Sequence, residues 1–299
     1  MTFRTLLSVF ILLVSLAVRN TKAQDDDLMN LLNQETGAKT NYAFATFKST
    51  RVLNGHSIER MQKKQLDVRI EHRFGRLNTG AYEFFGLDQS NIHLSLEYGL
   101  TNWLMVGLGR GNYQKTVDGF YKLSLLRQST GAKNMPVSIS FLSSIAVDGL
   151  RYNVGEGNTY YFSNRLAYCH QVLVARKFSE GLSLQLAPTI IHRNLVPTEL
   201  DPNDLFAMGM GGRIKLSTHV SFNVEYYYVL RPFYNIKNFD TTNPLSVGFD
   251  IETGGHVFQL LFTNSVAMIE KGFIGETNGS WGKGDIHFGF NISRVFSFK

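Results

Sequence analysis

Cysteine occurs once in this 299-residue chain, as Cys169. An internal disulfide framework is therefore excluded. A lone cysteine in a strand-like run reads as a small packed residue rather than a nucleophile. No apolar run reaches the roughly 20 residues that a membrane-spanning helix needs; Leu6 to Val18 comes nearest, with thirteen. Excess charge of one sign is small. The full chain has 30 Lys+Arg against 24 Asp+Glu. Arg4, Arg19 and Lys22 lie in the first 23 residues, which hold no acid, so the remainder has 27 against 24. A net charge of +3 outside that leader gives no footing for nucleic-acid binding. The eight histidines show no metal-ligand spacing, and no C-x-x-C-H haem attachment occurs. Gly107-x-Gly109-x-Gly111 has neither a following helix nor a Lys-Ser/Thr pair, so it is no phosphate loop. No metal, no cofactor and no catalytic residue is expected.

The N-terminus reads as a secretory leader: a basic n-region at Arg4, the Leu6–Val18 apolar core, then small residues at Thr21 and Ala23. Residues 1–23 are expected to be a cleaved signal peptide. The chain finishes on a long alternating run. Ile286, Phe288, Phe290, Ile292, Phe296 and Phe298 share one parity, while His287, Gly289, Asn291, Ser293 and Ser297 share the other. A strand sends successive side chains to opposite faces. Such a closing strand, with an aromatic at its end, suits a bacterial outer-membrane barrel and the assembly machinery that inserts it. Phe298 is followed by Lys299, a small departure from a terminal aromatic.

From residue 66 onward the chain resolves into twelve such runs. In the first, Leu66, Val68, Ile70 and Phe74 oppose Asp67, Arg69, Glu71 and Arg73. Connections mostly alternate long and short, with Arg127–Pro136 the exception. That rhythm, with both ends on the short-turn side, predicts an all-β, transmembrane up-and-down antiparallel β-barrel of about 12 strands, with 14 the alternative. A mean hydropathy of −0.10 agrees, since lipid-facing and lumen-facing residues cancel. Residues 24–65 then form an N-terminal periplasmic or plug segment, and residues 66–299 the barrel. Aromatics near strand ends, including Tyr98, Trp103, Tyr160, Tyr161, Tyr226 to Tyr228, Phe233 and Tyr234, suit interfacial girdles.

Three groups of residues are candidates for a site. Lumen parity collects Arg69, Glu71, Arg73, Glu97, Arg213, Lys215, Glu225, Asp250 and Asp285 as a mixed-charge network. The segment before the first strand carries Phe44, Phe47, Lys48, Arg51, Asn54, His56 and Glu59, with Asn54-Gly55 a turn signal. It is too apolar for a disordered tether. It is expected to plug the lumen, dock a partner, or add two wall strands. The loop Ser265–Gly284 carries Glu270, Phe273 and Trp281 and is expected to fold inward as a constriction. His93-x-Ser95 puts an imidazole and a hydroxyl on one face, the minor alternative of a lipid hydrolase.

Two stretches carry a resemblance. One runs from Phe44 to Glu59, and the other from Asn264 through Glu270, Phe273-Ile-Gly-Glu-Thr277 and Trp281 to Asp285–Arg294. Together they resemble a family of outer-membrane β-barrels of unknown function from Bacteroidota-type bacteria. The resemblance implies an outer-membrane barrel and supplies no catalytic residue. The expected function is passage or binding of a small solute through a constricted lumen, without catalysis. The alternative is a barrel that docks a periplasmic or surface partner. The expected surroundings are outer-membrane lipid, with a monomeric chain.

Overall fold

The computed structural model describes residues 39–152, 159–196, 198, 201–231 and 241–298. The expected leader, Phe233, Tyr234 and Lys299 lie outside the described residues. The strands are β1 (Thr40–Tyr42), β2 (Gln65–Arg76), β3 (Ser90–Gly99), β4 (Leu104–Gly111), β5 (Val117–Leu126), β6 (Ser129–Gly131) and β7 (Ser138–Val147). They continue as β8 (Leu166–Lys177), β9 (Leu182–Arg193), β10 (Asp204–Lys215), β11 (Val220–Val229), β12 (Leu245–Thr253), β13 (His256–Thr263) and β14 (His287–Ser297). Twelve of them close into one barrel, each antiparallel to its neighbours, with β14 pairing β2. A separate small unit, which includes residues 39–41 and 130–134, carries the two-stranded sheet of β1 and β6. Among the described residues no helix is long and apolar enough to cross a membrane; a closed barrel needs none, because its strands satisfy one another's backbone groups.

The wall follows the alternation of the sequence. Leu94, Leu96, Leu108, Leu260 and Phe262 are exposed on the outer face, although they are among the most apolar side chains. They sit together because the register pairs Leu96 with Leu108, and Leu260 with both Phe249 and Phe290. Outward aromatic stacking continues across the closing seam, where Phe74 lies over Phe288 with centroids 5.7 Å apart. Such an apolar belt is stable against lipid and costly against water.

Strand boundaries differ from expectation where turns are tight. The strand-like run Tyr160–Arg176 predicts a strand from Tyr160, but β8 begins at Leu166 because residues Phe162–Arg165 form a 3-10 turn. The spacing also predicts a long connection over Gly111–Asp118, but β4 runs to Gly111 and β5 starts at Val117, with a 3-10 turn at Tyr113–Lys115 between them. The irregular connection from Arg127 to Pro136 is long because it holds β6. Tyr227 does not join an aromatic girdle: it points inward and is 2% exposed. The alternative of fourteen wall strands fails, because twelve strands close the ring and residues 46–58 run inside it.

Candidate functional site

Residues 46–58 are buried, apart from half-buried Lys48, and they occupy the barrel interior. Local chemistry makes this segment a hairpin. Arg51 bridges His56, the amide of Val52 donates to Gly55 O at 2.8 Å, and the amide of Ser57 donates to Thr50 O at 2.9 Å. The turn is therefore Val52-Leu53-Asn54-Gly55. Glycine is required at position 55 for space: a Cβ there would lie 2.2 Å from the Tyr227 hydroxyl.

The wall holds the hairpin through polar side chains. Glu225 accepts the consecutive amides of Leu53, Asn54 and Gly55, with its closest contact at 2.9 Å. Arg73 donates to Asn54 Oδ1 at 2.7 Å and to Asn291 Oδ1 at 2.8 Å. Asn291 donates to Leu53 O at 2.9 Å, and Gln259 donates both to Val52 O at 3.0 Å and to Asp250 at 2.8 Å. Arg69 donates to Ser49 and Thr50 Oγ1. Glu97 takes Arg51 at 2.8 Å and the Thr50 hydroxyl at 2.6 Å. Arg213 donates to Ala45 O at 3.2 Å. Backbone groups that would be unpaired in an enclosed space are satisfied in this way.

A second segment enters from the long-loop end. Helix α1 (Glu270–Gly275) buries Glu270, Phe273 and Ile274. Phe273 packs edge-on against Tyr227 with centroids 5.2 Å apart. With Phe47, Val52 and Ile58 of the hairpin, and with small wall residues such as Ala187 and Ala207, it builds one apolar cluster. Glu270 Oε1 lies 3.5 Å from His56 Nε2, so the hairpin and α1 meet inside the barrel. Arg51 Nη1 donates to the other imidazole nitrogen at 2.7 Å. Burial, helped by Arg51, Lys122 and Arg69, holds the His56 imidazole well below its ordinary value. With Nδ1 facing Arg51, the Nε2 edge of the imidazole faces Glu270. Burial pushes the Glu270 carboxyl up, against the pull of Arg51.

Not every candidate residue joins this arrangement. Lys215 is exposed at the end of β10. Asp285 sits at the rim, 3.2 Å from Arg76 and 2.9 Å from Asn78. Trp281 also stays at the rim, its indole donating to Leu245 O at 3.0 Å. Phe44 is 77% exposed and lies outside the buried hairpin. Lys48 pairs with Glu252, and Glu59 accepts the Phe47 amide at 3.3 Å. Glu71 binds His93 at 2.8 Å rather than the hairpin. The other His93 ring nitrogen contacts Asp118 at 2.7 Å. With both nitrogens engaged, His93 is no base for Ser95, and the hydrolase arrangement does not form.

Sequence reasoning passed over Lys122. Its ammonium donates to Ser57 O at 3.0 Å and Glu59 O at 2.8 Å. Its inward parity beside Phe120 on β5 was the available signal. The apolar half of the interior was also missed. Leu205 and Ala207 are buried while Phe206 faces outward, and a strand apolar on both faces marks a wall packed on both sides.

Cys169 is buried in the same cluster as Phe273. It is expected to resist a membrane-impermeant maleimide in the folded protein and to react once the protein is unfolded in denaturant. Labelling of folded and unfolded chain at equal rates would show that α1 does not cover it.

Residues 47–296 match the family described as membrane bound beta barrel domain (DUF5777). The match begins within the hairpin, ahead of the first wall strand. No curated protein is similar to the chain in sequence. Among solved structures, the NanC porin is 10% identical with a TM-score of 0.47, covering 78% of this chain and 99% of its own. An outer-membrane channel from Pseudomonas putida F1 is 11% identical with a TM-score of 0.46, covering 80% and 97%. The KdgM porin is 10% identical with a TM-score of 0.44, covering 79% and 99%.

Proposed function

Because the chain belongs to the family of membrane bound beta barrel domains, we propose that it is an outer-membrane barrel for passage or binding of a small solute, with its lumen closed at rest. The observation that carries this reading is the 3.5 Å contact between His56 and Glu270. Two segments from opposite ends of the chain enter the lumen and meet there. A barrel filled only to stabilise its wall has no need of two independent insertions. Its interior could be packed with wall side chains alone, as small barrels are. The hairpin is held mainly by hydrogen bonds and ion pairs, which water can replace, and less by apolar packing. Arg69, Arg73, Glu97 and Glu225 serve in this reading as the latch, and Phe273 with Glu270 as the second constriction.

Bilayer recordings test it. The full chain is expected to be electrically quiet for long periods. A chain lacking residues 44–59 is expected to show persistent conductance steps, in a barrel that still shifts mobility on heating. A folded, quiet deletion variant would overturn passage and favour the docking alternative. If the deletion does not fold, the Glu225→Ala variant described below takes its place in the same recording.

A further inference from the structure

A cleft of about 310 Å³ opens at the long-loop end, between β2, β3, the start of β14 and the residues around α1. It lies at the lower end of the roughly 300–1,000 Å³ range of ligand pockets, room for one ring rather than a polymer. Its charged side chains are already neutralised by neighbours. Arg76 donates to Asp285 at 3.2 Å and to Asn278 Oδ1 at 2.8 Å. Glu276 takes Lys271 at 3.3 Å and the Gln114 amide at 3.0 Å. An anion or a cation entering the cleft would compete with these contacts rather than complete them.

Four uncharged groups remain. The side-chain amides of Gln89 and Asn91 and the Tyr113 hydroxyl line the cleft and have no protein hydrogen-bond partner among the described residues. His287 is the fourth. Its Nδ1 donates to Phe74 O at 2.8 Å, which leaves Nε2 as an acceptor toward the cleft. Burial and the nearby Glu276 carboxylate push the Tyr113 phenol up to about 12, so its proton stays in place as a donor. Amides, a phenol and an imidazole acceptor offer donors and acceptors in mixed order. Hydroxyl groups answer both, since each donates one hydrogen bond and accepts others.

We propose that this cleft binds an uncharged, hydroxyl-rich solute of about one sugar ring. The inference deepens the passage reading and rests on it for the role of the site. Gly272, Glu276 and Thr277, at and just beyond α1, also line the cleft. A bound solute therefore touches the segment that closes the lumen.

Ligand-observed NMR on the full chain in detergent tests the assignment, with D-glucose, N-acetyl-D-glucosamine, D-glucuronate and glycine as probes. Saturable binding of the two neutral sugars is expected, with the uronate and glycine weaker. Gln89→Leu and Asn91→Leu are each expected to weaken the sugars about tenfold, the loss of roughly one hydrogen bond. Absence of saturable sugar binding, equal binding of the uronate, or full affinity in both variants would each overturn the proposal. The comparison of neutral with charged probes uses the unaltered protein and decides the matter even where a variant does not fold. Binding needs no open lumen. Sugar binding together with a quiet hairpin deletion therefore keeps the cleft and rejects passage, and conductance without sugar binding does the reverse.

Discussion

Glu225→Ala is expected to unlatch the hairpin. One carboxylate holds three consecutive backbone amides there, at 2.9 to 3.3 Å, inside an enclosed space. Alanine leaves those amides without an acceptor and removes one of the two carboxylates, with Glu71, whose charges act on Arg73. Leaving buried donors without an acceptor costs roughly 1–3 kcal/mol. Part of that loss is expected to appear as a lower urea midpoint for the heat-modifiable form. The rest is expected to appear as bursts of conductance in a bilayer, because the wall survives while the turn comes free. Glu225→Gln keeps the size and one acceptor oxygen, so it should fall between alanine and the parent on both measures. An alanine variant as stable and as quiet as the parent would mean that Glu225 does not secure the turn.

The second large effect is expected on the outer face. Leu260 is 41% exposed and lies in register with Phe249 and Phe290, all apolar and all turned outward. Leu260→Arg should cost about 2–4 kcal/mol in a lipid bilayer, the range for a cation near the midplane of a barrel's lipid face. Thr253→Arg, at the exposed turn between β12 and β13, should change stability by less than about 0.5 kcal/mol. Folding titrations in lipid vesicles separate the two. Equal tolerance would place the apolar belt elsewhere. The substitution should matter far less in detergent, where the surroundings adapt to a charge.

The wall was legible in the sequence because period-two alternation is a local property. Asp67, Arg69, Glu71 and Arg73 share a parity, and closure of the sheet puts them inside together. The Asn54-Gly55 turn was legible for the same local reason. Partner choice was not. Glu71 and Glu97 occupy equivalent parities on adjacent strands, yet one binds His93 and the other binds Arg51. That difference depends on how far the hairpin reaches into the barrel, which no spacing along the chain encodes. Lys215 and Asp285 share the inward parity of the network, but they sit where the wall ends and water begins. Parity assigns a face and says nothing of depth. Phe44 and Phe47 differ in fate because Ala45 and Thr46 carry the chain across the mouth between them.

Closure of the barrel and placement of the hairpin share their side chains. The seam where β14 meets β2 is joined by Ser293 to Asp67 at 2.6 Å and by Arg73 to Asn291 at 2.8 Å. Arg73 also holds Asn54, and Asn291 also holds Leu53. The hairpin is tied to the first strand of that seam by the few residues between Glu59 and Gln65. A hairpin already inside presents Asn54 and Leu53 to Arg73 and Asn291 as the last strand meets the first. The backbone ladder between β14 and β2 can close the wall without it, so the segment acts as a template that eases registration of the seam, and its loss should slow closure rather than prevent it.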